Sequence, residues 1–265
     1  MLALAAALVV AQGSPFKVDW STDGLVTGAL GLVYATAEEV VKPGVAGQRA
    51  CRAVTEDICD PAQLNALDRL VLDNQSSNWR LASNIIQYAT FAVVLGATGI
   101  DAHNDDQPFD SWGRDSIVFA ETILVTQLTT NILKYSMRRA RPSQYRVETD
   151  ITFVEEQLSF PSGHTSSVAA ASTAYTFAFA ERHPDSPMRY AVGGIGAALT
   201  VLTGYARAQS GRHFYTDVIS GAAIGLAIGY LVPWMHRMSP NATRDASADV
   251  AKRSGPPMVG FGMAF

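Results

Sequence analysis

Six stretches of this chain run for several helical turns with almost no charge, and they decide what it can fold into. They cover 25–37, 81–100, 117–133, 163–180, 190–206 and 218–235, and the only formal charge within them is Glu121. Apolar and small residues fill them without the alternation of a half-buried strand, so each reads as a helix. Charged residues make up only 17% of the chain, below the ~25% of an ordinary soluble domain. Strand signals are absent, which makes the expected fold all-α.

Five of these stretches approach the ~20 residues needed to cross a bilayer. They are rich in Gly, Ala, Ser and Thr, as in VGGIGAALTVLTG at 192–204 and ISGAAIGLAIG at 219–229. Small residues let helices approach closely in lipid, and they also suit a tight soluble bundle. The expected architecture is a helical bundle of five to six mostly membrane-embedded helices. Residues 1–11 (MLALAAALVVA) are apolar but lack a basic start, and read as a short or truncated signal peptide. An N-terminal helix and a Cys-bearing loop are expected over 12–80, the bundle over 81–238, and a loose polar, Pro/Gly-rich tail over 239–265. The two cysteines, Cys51 and Cys59, lie in one polar loop. With an export signal they favour a disulfide in an oxidising compartment over two free thiols, and without a neighbouring His they make a poor zinc site. A net charge of −4 gives no footprint for nucleic acid.

Chemistry gathers at the helix ends. In 132–146 (ILKYSMRRARPSQYR), Lys134 and Arg141 stand two turns apart, so both cations can share one face, and Pro142 stops the helix. Arg138 and Arg139 read as an ordinary basic cluster where a helix meets a surface. In 159–174 (SFPSGHTSSVAAASTA), a Pro-Ser-Gly turn opens a helix, and free backbone N–H groups there form an anion seat with His164 beside it. In 205–221 (YARAQSGRHFYTDVISG), Arg207 ends one helix while His213 and Asp217 stand four apart at the start of the next. A carboxylate one turn from an imidazole can hold one ring nitrogen and leave the other aimed as a nucleophile. His103, His183 and His236 read as bystanders in loops. Three cations, an anion seat and two histidines, all at helix ends that chain parity places on one side, are what phosphoryl transfer requires: positioning and charge neutralisation.

The run Lys134-x6-Arg141-Pro142, Pro161-Ser162-Gly163-His164, Arg207-x5-His213-x3-Asp217 resembles the three-part signature of the type 2 phosphatidic acid phosphatase superfamily. That group includes lipid phosphatases, class A acid phosphatases and vanadium haloperoxidases. The resemblance covers roughly 117–234 and departs at Ala206, where the family often has Ser. It implies that His213 is the nucleophile oriented by Asp217, that His164 is the general acid, and that Lys134, Arg141, Ser162, Gly163 and Arg207 hold the phosphate. No cofactor or metal is implied. The expected substrate is a phospholipid or isoprenoid-lipid phosphate, met in a bacterial inner membrane by a site facing the periplasm. A soluble periplasmic acid phosphatase of the same fold is the alternative, followed by a haloperoxidase and a non-enzymic scaffold.

Overall fold

The computed structural model describes residues 13–45, 50–54, 58–146 and 154–238. The signal segment expected over 1–11 and the tail expected over 239–265 lie outside the described residues. Six long helices carry the fold: α1 (Trp20–Gly44), α2 (Ser77–Ala102), α3 (Pro108–Met137), α4 (Gly163–Arg182), α5 (Met188–Gln209) and α6 (Tyr215–His236). Among the described residues the only β pairing is two isolated bridges, Phe16 with Arg237 and Ala53 with Cys59.

The helix starts follow from local chemistry. Asp19 caps α1 by accepting from the Ser21 and Thr22 amides at 3.1 and 2.8 Å, and Ser76 caps α2 from the Trp79 amide at 3.3 Å. Pro108 opens α3 with its fixed φ. At the other end of α3, Arg138 takes a left-handed backbone (φ 46°) and turns the chain out of the helix.

Four helices are long and apolar enough to cross a membrane by length and composition: α1, α2, the run Pro108–Tyr145 that contains α3, and α6. Their outward faces fit that reading. Leu25, Leu32 and Val33 on α1, Ile85, Tyr88 and Val93 on α2, and Leu226, Tyr230 and Trp234 on α6 are all exposed. α1 buries none of its residues.

The interior is built from small and hydroxyl side chains rather than large aliphatics. Thr122, Thr126 and Thr130 lie buried on one face of α3. Thr122 and Thr126 return their hydroxyls to the carbonyls of Val118 and Thr122, and Thr130 meets Ser166 of α4 at 3.1 Å. α4 runs through the centre, with Val168, Ala169, Ala170 and Ala171 fully enclosed.

Its tightest partner is α6. A Cβ built on Gly221, Gly225 or Gly229 would stand 2.6, 2.2 and 2.6 Å from the carbonyl oxygens of Ser162, Ser166 and Ala170. Glycine every fourth residue therefore lets two backbones touch over two turns. Gly225→Ala is expected to cost about 1–3 kcal/mol through forced separation of the pair. Gly194→Ala, where a Cβ meets nothing within 4 Å, is expected to leave stability unchanged or slightly raised; thermal unfolding of the two variants in detergent micelles checks the contrast.

One end of the bundle gathers the C-termini of α1, α3 and α5 and the N-termini of α2, α4 and α6. Over it sits a cap made from the loop after α1. Cys51 and Cys59 are disulfide-bonded, the Ala50 amide donates to the Arg138 carbonyl, and the Cys59 amide donates to the Gln144 carbonyl, both at 2.9 Å. Cys59, Leu64, Val71, Ala140, Tyr145, Ala208 and Phe214 form one buried apolar cluster beneath it.

Candidate active site

His213 lies in the short connection between α5 and α6, 1% exposed. Its Nδ1 is 2.7 Å from the Ser159 carbonyl oxygen. A carbonyl only accepts, so Nδ1 carries the proton and Nε2 keeps its lone pair free. This corrects the expectation that Asp217 holds the ring directly. Asp217 Oδ2 is 3.8 Å from Nδ1, because its oxygens are committed elsewhere. They accept from the Ser159 hydroxyl at 2.6 Å, the Phe214 amide at 2.8 Å and the Arg139 guanidinium at 2.5 Å. Asp217 thus acts on His213 through Ser159, by fixing the residue whose carbonyl fixes the ring.

Arg139 is the second correction. Instead of lying with Arg138 in a surface cluster, it bridges two fully buried carboxylates, Asp217 and Asp68, the latter at 2.7 Å. It also donates to Thr216 and lies over the Phe214 ring, 4.3 Å from its centroid. Asp68 comes from the cap and accepts from the Thr216 amide and hydroxyl at 3.1 and 2.7 Å. Burial works against its charge, but Arg139 and Thr216 outweigh that and hold its pKa below the ordinary carboxylate value.

Ser162 caps α4 with its side chain on Thr165, and its amide donates to the Asp217 carbonyl at 3.0 Å. The Pro-Ser-Gly turn is thereby tied to the first turn of α6. Lys134 Nζ lies 3.7 Å from where a Cβ on Gly163 would stand, which places the α3 cation beside the α4 N-terminus. His164 Nε2 is 2.8 Å from Asn84 Oδ1, and Arg207 reaches Ser83 at 3.3 Å. Asn84 and Ser83 are adjacent on α2, so this helix holds both side chains.

Arg141 is 2% exposed. It donates to the Glu155 and Arg212 carbonyls and to the Glu155 carboxylate at 3.1 Å. Glu155 also pairs with Lys42 at the end of α1. Burial opposes its ionisation, yet Lys42, Arg141 and Lys134 hold its pKa down to about 2. At His213, burial first, then Arg141, Arg207 and Lys134, push the pKa well below the ordinary histidine value. This direction favours the uncharged ring that a nucleophile needs. The charges of these three cations and of His164 all bear on His213.

Ser159, Asn84, Arg139 and Asp68 were missed from sequence. Nothing in the spacing around any of them signals the contact that the fold creates. Among the described residues one cluster has metal-ligand geometry: Asp23, Glu121 and His236, with ligand atoms within 4.8 Å of one another. His236, expected in a loop, ends α6, the opposite end of that helix from Asp217.

Segments of the chain are similar in sequence to known proteins. The chain is 31% identical over 125 residues to a lipid A 1-phosphatase of Porphyromonas gingivalis, covering 47% of this chain and 24% of that protein. It is 26% identical over 170 residues to a lipid A 1-phosphatase of Rhizobium johnstonii, covering 62% and 65%. It is 30% identical over 110 residues to phosphatidylglycerophosphatase B of Bacillus subtilis, covering 40% and 50%. The chain thus spans less than two thirds of the length of each of these relatives. Residues 116–240, which contain Lys134, Arg141, Ser162, Gly163, His164, Arg207, His213 and Asp217, match the model of the PAP2 superfamily.

Proposed function

We propose that the protein is a membrane phosphatase that removes a terminal phosphate from a lipid through a phosphohistidine intermediate. The observation that carries this reading is the buried His213, its Nδ1 2.7 Å from the Ser159 carbonyl oxygen, in surroundings where burial and the charges of Arg141, Arg207 and Lys134 lower its pKa and favour the uncharged ring.

Burial, then Arg207, Lys134 and Arg141, lower the His164 pKa. In this mechanism His164 therefore takes up its proton when the phosphate dianion binds and offsets those cations. His213 Nε2 then attacks phosphorus, the bond from phosphorus to the ester oxygen breaks, and His164 passes its proton to the leaving oxygen. The cations and the Gly163 amide neutralise the phosphoryl oxygens. His164, now neutral, takes a proton from water. The resulting oxygen attacks phosphorus, Nε2 departs, and inorganic phosphate leaves. Cationic side chains supply the charge neutralisation, so no metal enters any step.

The lipid part of the reading rests on the four apolar helices and their exposed faces. The relatives named as lipid A 1-phosphatases and phosphatidylglycerophosphatase B support the same substrate class. The disulfide-bearing cap covers the same end of the bundle as His213. An oxidising compartment for the disulfide therefore favours a site on the periplasmic face of the inner membrane.

The test is phosphate release by the purified protein in detergent micelles with excess EDTA. Phosphatidic acid, an isoprenoid diphosphate and a phosphorylated glycolipid serve as substrates. Release from at least one of them is expected. Release that appears only when a divalent cation is added back, or release from none, overturns the reading.

A further inference from the structure

Glu121 is the only formal charge inside the six long uncharged stretches, and the phosphoryl chemistry does not use it. It is 4% exposed in α3, within a run apolar enough to cross a membrane. An ionisable side chain in such a place is costly and requires a partner. Among the described residues no Lys or Arg supplies one. Its neighbours are instead His236, the last residue of α6, and Asp23, in the first turn of α1. Glu121 Oε2 is 3.1 Å and Asp23 Oδ1 3.9 Å from His236 Nε2. All three atoms lie within 4.8 Å of one another.

Each of these side chains is fixed from outside through its other polar atom. Asp23 Oδ2 accepts from the Asp19 amide at 2.7 Å, Glu121 Oε1 lies 3.0 Å from the Thr27 hydroxyl, and His236 Nδ1 is 3.0 Å from the Val232 carbonyl oxygen. That carbonyl only accepts, so Nδ1 carries a proton and the neutral ring turns its Nε2 lone pair inward. The chain around His236 is held as well. Its carbonyl accepts from the Lys17 amide at 2.7 Å, and the Met238 amide donates to the Pro15 carbonyl at 3.0 Å. Three electron-pair donors thus converge from three helices, each aimed by a partner outside the trio, as metal ligands are. A second proton on the ring would set one positive charge against two carboxylates. A divalent cation balances both.

We propose that Asp23, Glu121 and His236 bind a divalent transition-metal ion, with zinc well suited to one imidazole and two carboxylates. Ligands ~2.0–2.2 Å from one zinc ion stand about 3.3–3.6 Å apart in a tetrahedron, within the spread of separations in this trio. The ion joins α1, which buries none of its own residues, to α3 and α6. His236 and Asp217 stand at opposite ends of the 22-residue α6, roughly 30 Å apart at the helical rise. The ion is therefore a cross-link between helices and takes no part in the steps proposed for His213.

The test uses protein purified without a polyhistidine tag, treated with EDTA in detergent micelles and then freed of the chelator. Calorimetric titration with zinc chloride is expected to show one ion bound per chain. Zinc at about 100 times Kd is expected to raise the melting temperature by about 5–10 °C. Glu121→Gln and Asp23→Asn keep the side-chain size but lose a ligand charge. Each is expected to weaken binding at least about 100-fold, beyond the cost of losing a supporting partner. His103→Gln, at an exposed position, is expected to bind zinc as wild type does.

Without zinc, Glu121→Gln is expected to melt at or above the wild-type temperature, because it removes a buried charge that only the ion balances. A wild type that takes up no zinc overturns the site, and so does binding that survives both substitutions. A wild type unmoved by zinc, with a Glu121→Gln protein that melts lower, would overturn it in favour of a closed imidazolium–carboxylate pair. Asp23 is partly exposed, so Asp23→Asn decides the question even if Glu121→Gln does not fold.

Discussion

His213→Ala is expected to lower phosphate release by at least about 10⁴-fold, because the attacking atom itself is removed. His213 is almost fully enclosed and its Nδ1 proton anchors the Ser159 carbonyl, so the alanine variant also leaves a cavity and an orphaned acceptor. His213→Gln separates the two effects. Its amide can still donate to Ser159 and fill most of the space, but it offers no nucleophilic nitrogen. Both variants should be equally inactive, with the glutamine variant melting closer to wild type. Quenching wild type in alkali during turnover should trap acid-labile phosphate on the protein, and neither variant should carry it. A glutamine variant that retained more than a small fraction of the rate would refute the nucleophile assignment.

Arg139→Leu is expected to cost about 3–5 kcal/mol of stability, since it strands two enclosed carboxylates that share one guanidinium. Turnover should fall as well. Without Arg139 the Asp217 side chain loses a charge-assisted partner, and Asp217 is what fixes Ser159 and, through it, the imidazole. Arg139→Lys keeps the charge but cannot span both acids, so it should fall between the two. Adding Asp68→Asn to Arg139→Leu removes one of the stranded charges and should recover part of the loss, a coupling expected between residues in direct contact. Chemical unfolding in micelles beside phosphate-release assays measures both effects. An Arg139→Leu protein with an unchanged unfolding midpoint would show that the bridge carries little.

The helices were legible in the sequence because lack of charge over many residues is a strong signal that needs no partner. The chemistry-bearing residues were legible because Lys134 and Arg141, or His213 and Asp217, lie within a turn or two along one segment. What lay out of reach was whatever the fold assembles from separate segments. Arg139 is one of three arginines within four residues, and only the left-handed turn at Arg138 and the descent of the cap decide which points inward. Asp68 sits 149 residues from Asp217 in sequence, yet both close on the same guanidinium. Ser159 acts through its backbone carbonyl, which any residue type would offer, so no side-chain pattern marks it. Asn84 lies in an uncharged helix where an amide passes for a tolerated polar residue until His164 is seen against it.

The glycines of α6 have a consequence beyond packing. With the α4 and α6 main chains in contact, and the Ser162 amide bonded to the Asp217 carbonyl, the separation between the turn bearing His164 and the turn bearing His213 is set by two backbones rather than by side-chain conformers. For the proposed reaction that pair would work as a fixed ruler. The surrounding helices are then free to vary in sequence and shape while the span between the turns bearing His164 and His213 stays constant.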